Sequence, residues 1–408
     1  MNLSYLKSPL IQLDDKKFDL FLLFLAPLIT SVNGIFIDLY TPSLPAIALA
    51  FNTTGQIAKL SISVGMIGFT IGVFTFGILS DRVGRRSMVL TGLALFVLAS
   101  LIAITANSIE VFMASRLIQG AGVATAAMLA RAMLLDRFSG KKLYIAMLYT
   151  TIAFGLGPVI APFIGGYLQH IFSWQANFIA YAVYGGFNFI IVFIFMQETL
   201  AIENRRLNGH VFNRLKLVFT ASQFNLFASA CALCFSQFII YNLVGVFIVE
   251  VKMGFNAVVF GYSALVVGFG YFLGTLFSRL LARQLHMQSI LKIGLSIILI
   301  ASLALFGISI FTNNINLYVF VLIMMLMTWG VGMILPSYIA KTLEPFKQNS
   351  AGTAASMHGA VVMLLGFVIT SFISALRIDS IMMMAIVALS LWLGQIILLS
   401  VAKFKKLI

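Results

Sequence analysis

From Ser87 to Asn107 the chain carries no charged side chain, and from Ile57 to Ser80 it carries one lysine and no acid. At 1.5 Å per helical residue each stretch can cross a bilayer, which takes roughly 20 apolar residues. The charges that separate them, Asp81, Arg82, Arg85 and Arg86, therefore read as a polar hinge at a membrane face. The same alternation continues along the chain. It yields about twelve apolar spans, beginning near residues 20, 58, 87, 110, 143, 176, 222, 257, 288, 316, 353 and 381. A membrane-spanning segment must satisfy its own backbone, so only helices or closed barrels qualify, and barrel strands alternate apolar with polar. These runs are continuously apolar, which predicts an all-α membrane protein of twelve helices.

Composition supports lipid as the solvent. Of the 408 residues, 61% are hydrophobic and 9% charged, against about 25% charged in soluble domains. The net charge of +14 does not point to nucleic acid, because the basic residues fall on one side of the expected spans. That side carries Lys7, Lys16, Lys17, Arg82, Arg85, Arg86, Arg137, Lys141, Lys142, Arg205, Arg206, Arg214, Lys216, Arg279, Arg283, Lys341, Lys347, Lys403, Lys405 and Lys406, whereas the opposite loops carry Lys59, Lys252 and Arg377. By the positive-inside rule both termini are expected in the cytoplasm. Asp14, Asp15 and Asp19 precede the first apolar run, which argues for a retained helix and against a signal peptide. Cys231 and Cys234 share one apolar helix and read as small packing residues.

The longest polar interruption, Gln197 to Lys216, divides the spans six and six. Two pseudo-symmetric six-helix bundles are expected at residues 1–197 and 217–408, joined by a cytoplasmic linker at 198–216. An internal echo fits this division: Gly77, Leu79, Arg82 and Arg86 recur as Gly274, Leu276, Arg279 and Arg283, while Asp81 becomes Ser278. A weaker echo sets Gly120, Gly122, Ala130 and Arg131 against Gly330, Gly332, Ala340 and Lys341.

These motifs resemble those of the major facilitator superfamily. Gly77, Asp81, Arg82, Gly84, Arg85 and Arg86 match its loop signature between helices two and three, and Arg116, Gln119, Gly120 and Gly122 resemble the fourth-helix signature of proton-coupled members. Gly157, Pro158, Pro162, Gly165 and Gly166 resemble the fifth-helix antiporter signature in the spacing of the Bcr/CflA drug-resistance subgroup. Asp38, Tyr40, Pro42, Pro45, Arg131, Asp136 and the run Ala351 to Ala354 point to the same subgroup. The resemblance implies a twelve-helix drug:proton antiporter working by alternating access.

Asp38 is the one carboxylate placed well inside a span. A charge there costs about 2.5–3.5 kcal/mol on insertion scales, so it is expected to face a cavity and act as a proton or cation site; the alternative is a hydrated interfacial residue. Arg116 stands about two turns into its helix and needs an acceptor. It reads either as the coupling partner of Asp38, as the resemblance implies, or as a pin on backbone carbonyls. Asn33, Tyr40, Gln119, Gln237, Tyr241 and Asn242 are candidates for a substrate cavity, or for satisfying neighbouring helices. His358 reads as a second proton site or as a packing residue. Ala153, Gly157, Ala161 and Gly165 form a smooth ridge expected to face Gly270, Gly274 and Ser278.

The expected activity is proton-driven export of small amphipathic compounds by a monomer, with protons and the lipid bilayer as the other partners, and no cofactor, metal or nucleic acid. Export of an endogenous metabolite, such as a siderophore or amino-acid derivative, and uncoupled facilitation or import remain alternatives. No phosphate loop, HExxH motif or nucleophile–base pair suggests an enzyme.

Overall fold

The computed structural model describes residues 9–200, 216–311, 315–346, 351–376, 380–405 and 407. Among them the regular structure is helical throughout, with no strand. Span 1 covers Asp15–Ala50, span 2 Gly55–Val83, span 3 Arg85–Ile104, span 4 Ile109–Arg137, span 5 Gly140–Ile171 and span 6 Trp174–Phe195. Span 7 covers Ser222–Lys252, span 8 Ala257–Leu281, span 9 Met287–Phe311, span 10 Leu317–Leu343, span 11 Ala354–Ala375 and span 12 Ile381–Phe404. Each begins within five residues of its expected start. Several starts are set by N-caps, because a helix leaves its first N–H groups without backbone partners. Asp14, Ser108, Asn256, Asn316 and Ser380 each accept a backbone N–H from two or three residues on.

The chain divides into two compact units, one of residues 1–39, 64–158 and 174–213, the other of 40–63, 159–173 and 214–408. In the first, a core of Leu25, Ile29, Leu93, Leu129, Met133 and Val192 gathers spans 1, 3, 4 and 6. In the second, span 10 packs against spans 7, 8 and 9. Most of the expected linker, residues 201–215, lies outside the described residues.

The internal repeat is present as contacts, in a different register from the one expected. A Cβ on Gly122 would lie 2.6 Å from the Gly92 carbonyl oxygen, and one on Gly330 would lie 2.7 Å from that of Gly294. Gly72 abuts Ala121 as Gly274 abuts Trp329. Tyr40 meets Ser61 at 2.9 Å, and Tyr241 meets Ser263 at 2.5 Å. Ser61, Gly72 and Gly92 thus correspond to Ser263, Gly274 and Gly294, a shift of 202 throughout, while Ala121 and Gly122 correspond to Trp329 and Gly330, a shift of 208. Both expected alignments are corrected: Gly274 is the counterpart of Gly72, not Gly77, and Gly330 that of Gly122, not Gly120. In the contact register Asp81 corresponds to Arg283, so the second copy reverses the charge there.

Candidate functional site

Span 1 does not run as one helix. Its α-helix stops at Phe36, a turn carries residues 37–40, a 3-10 turn covers Thr41–Ser43, and a short helix follows at Leu44–Ala50. Pro42 and Pro45 lack the N–H groups that would bond back to the Asp38 and Thr41 oxygens in a continuous helix, so the break is written locally. A helix that ends inside a bilayer leaves carbonyl oxygens to be satisfied. Two side chains do this: the Tyr181 hydroxyl donates to the Ile35 and Phe36 oxygens at 3.1 and 2.9 Å, and an Arg116 N–H donates to the Phe36 oxygen at 3.2 Å.

Arg116 is seated in an aromatic and polar socket. Its guanidinium carbon lies 4.4 Å from the Phe36 ring centroid and 5.9 Å from that of Phe178. Phe112, Trp174 and Phe178 form an edge-on cluster beneath it. The Arg116 Nη1 donates to Gln119 Oε1, and Gln119 in turn donates to the Ser100 hydroxyl at 2.7 Å. Both ends of the Gln119 amide are therefore engaged, and the residue is fully buried. Asp38 lies two residues beyond Phe36 in the turn, with 4% of its surface exposed. The break in span 1 thus brings a buried carboxylate and the negative end of a helix, already held by a fixed cation, into one short segment.

In the second unit, Tyr40 and Tyr241 each donate to a serine whose own proton goes to a backbone oxygen, Ser61 to Ala58 and Ser263 to Phe260. Tyr40 and Tyr241 are buried and occupied by this bond. Gln237, fully buried one turn before Tyr241, donates through Nε2 to the Met327 sulfur at 3.2 Å, and its Oε1 has no hydrogen-bond partner. Asn242 is buried; Asn33 and His358 are half-buried.

The hinge of the opening motif is a closed polar cluster. Gly84 has φ of +114°, a conformation open to glycine alone at low cost, and it separates spans 2 and 3. Arg85 donates to Asp81 at 2.6 Å, to Ser80 at 2.7 Å and to Asp136 at 3.1 Å. One Glu198 oxygen accepts the backbone N–H of Arg85, Thr199 and Leu200. Arg86 is buried and donates to the Phe193 and Met196 oxygens at the end of span 6, both at 2.7 Å. Arg82 is exposed, and Gly77 lies against Met128.

Span 5 continues through Pro158 and Pro162, and its ridge meets other partners than expected. Gly157 packs on Gly34 of span 1 so closely that a Cβ at either position would collide with the other's helix. Gly166 abuts Ala257, and Gly261 abuts Pro162 and Phe163, so span 8 meets span 5 near its start. Gly270 and Gly274, the expected facing surface, lie instead against Met325 and Trp329 of span 10. Gly165 is buried in the same helix.

Lys59 and Lys252, expected in the opposite loops, fall within spans, as does Glu250. Lys59 is in span 2, 2% exposed, with its Nζ 4.6 Å from the Phe247 ring centroid. Glu250 is in span 7, two residues before its end at Lys252. Past Ile240 span 7 proceeds through π-helical turns.

A family profile described as Major Facilitator Superfamily matches residues 28–371. The chain is 29% identical over 353 residues to an uncharacterized transporter of Rickettsia bellii, covering 84% of this chain and 87% of that protein. It is 27% identical over 354 residues to a bicyclomycin resistance protein homolog of Haemophilus influenzae, covering 84% and 86%. Among solved structures, a D-xylose-proton symporter superposes with a TM-score of 0.72 at 14% identity, covering 93% of this chain and 97% of that one, which is a likeness of fold alone.

Proposed function

The chain belongs to the major facilitator superfamily, and from that premise we propose that it is a proton-coupled antiporter that exports small amphipathic, drug-like compounds across an inner membrane. A multi-pass transporter of this family binds its cargo between helices and exposes it to each side in turn. The drug class rests on the bicyclomycin resistance homolog among its relatives.

The observation that carries the coupling is the construction around the broken span 1. Asp38 is buried two residues beyond the helix end that Arg116 and Tyr181 hold. Arg116 cannot surrender its proton, so it acts as a fixed positive charge, whereas a carboxyl group can take up and release one. In this reading Asp38 binds a proton from the outer face, which weakens cargo binding, and releases it toward the cytoplasm to restore the site. The difference in cargo affinity between the two states of Asp38 drives the cycle. Gln237 Oε1, a buried acceptor awaiting a donor, is the proposed cargo contact in span 7, with Asn33 and Asn242 as further cavity residues. Gln119, Tyr40 and Tyr241 support that cavity through their neighbours, and the cluster about Arg85 holds the hinge as residues 1–197 rock against 217–408.

Everted vesicles test this directly. Cargo uptake should follow an imposed pH gradient, collapse with it, and release protons from the vesicle lumen in step with cargo entry. Uptake indifferent to the gradient rejects antiport.

A further inference from the structure

The last turns of span 7, Tyr241–Gly245 and Phe247–Lys252, are π-helical, a widened geometry that recurs at functional sites. Glu250 sits in the second of them. Its Oε1 is buried without a hydrogen-bond partner, and no described residue forms an ion pair with it. The residue as a whole is half-buried, so it is this one oxygen of an ionised carboxylate that forgoes hydration with nothing in exchange, a cost that proton uptake removes.

The surroundings bring little positive charge to bear. The short helix Leu44–Ala50 packs against this segment and contains no titratable side chain. The start of span 2 contributes Lys59, held over the Phe247 ring. Span 8, also packed here, has Tyr262 and Tyr271 ahead of Arg279 in its last turn. The preceding π turn contributes Tyr241, committed to Ser263, and the segment itself ends in the exposed Lys252.

We propose that Glu250 is a proton-binding residue additional to Asp38: its carboxyl carries a proton while enclosed as it is here, and returns that proton to water when the widened turns of span 7 open. Lys59, seated on the same segment, then favours the hydrated carboxylate. Proton binding at Glu250 stands on its own geometry; its place in the transport cycle rests on the antiport reading above.

Infrared spectroscopy of the full chain in nanodiscs, from pH 5 to pH 9, follows the C=O stretch of protonated carboxyls. Subtracting the spectra of E250Q isolates the Glu250 band. That band should persist to neutral pH, with proton binding at least tenfold tighter than that of a hydrated glutamate, whose pKa is about 4.3. The neutral isostere should also fold and melt like the wild type at pH 7. No band at neutral pH, or an E250Q variant that fails to fold, overturns the assignment, since a group already neutral loses little on becoming an amide. Vesicle transport separates the two proposals. Wild-type uptake indifferent to the pH gradient rejects antiport and leaves the infrared result standing. Gradient-driven uptake with the same proton-to-cargo ratio in wild type and E250Q removes Glu250 from the cycle and leaves antiport intact.

Discussion

Arg116 holds Phe36 twice, through the face of its ring at 4.4 Å and through its carbonyl oxygen at 3.2 Å. The first contact places a cation on a π face and the second satisfies a helix terminus, so one side chain sets both the position and the polarity of the break in span 1.

Lysine should not replace Arg116. A single ammonium cannot reach Phe36 and Gln119 in the same planar fork, and it leaves a buried acceptor unsatisfied at about 1–3 kcal/mol. Arg116→Lys should lower the melting temperature in detergent. Tyr181→Phe should lower it less, because Arg116 still bonds the Phe36 oxygen. The double variant should lose more than the sum of the two, as expected where side chains share an acceptor.

Asp38→Asn keeps the shape of the turn and removes the titratable group. It should leave the protein folded and reduce gradient-driven uptake on the order of tenfold or more, about 1.4 kcal/mol. Downhill exchange of cargo between equal pH values should survive, and intact gradient-driven uptake would exclude Asp38 as the coupling site.

Asp81→Asn weakens one arm of the Arg85 clamp while Asp136 and Ser80 still hold it. Conformational switching should slow, seen as a reduced maximal rate, with cargo affinity nearly unchanged. Gly84→Ala acts on the backbone instead: at φ of +114° an alanine stores strain of about 1–3 kcal/mol. It should destabilise the protein as well as slow it, and thermal melts separate the two variants.

Glu344, beyond the end of span 10, accepts from Lys341 at 2.9 Å and from Gln223 at 2.8 Å, and these bonds hold its carboxyl below the usual glutamate range. A carboxyl depressed in the folded state contributes stability above its unfolded pKa, about 4.3, and loses it as the pH falls through the depressed value. The group is more than half exposed, so the effect is small, ~0.2–1 kcal/mol. Melting curves of wild type and Glu344→Gln should differ at pH 7 and converge in acid.

Much of the architecture was legible residue by residue. Uncharged runs such as Ser87 to Asn107 announce a helix because lipid offers no partner for an open backbone. Asp38 was legible as a buried group because Pro42 and Pro45 stand just beyond it. Lys59 and Glu250 were not, because a charge near the end of an apolar run reads equally as loop or helix until the packing is known. The repeat register was misplaced for a related reason. Glycines and arginines match by chance at several offsets, whereas the contacts of Gly92 with Gly122 and of Gly294 with Gly330 require two, 202 for spans 2 and 3 and 208 for span 4.

By itself, then, the sequence determined the solvent, the number and approximate starts of the helices, and the family, since each follows from local hydrophobicity and short motifs. The tertiary structure decided the partners: Phe36 for Arg116, Gly34 for Gly157, and none among the described residues for the Glu250 Oε1. Which helix faces which depends on close approach between segments distant in the chain, and periodicity along one helix carries no record of the surface opposite it.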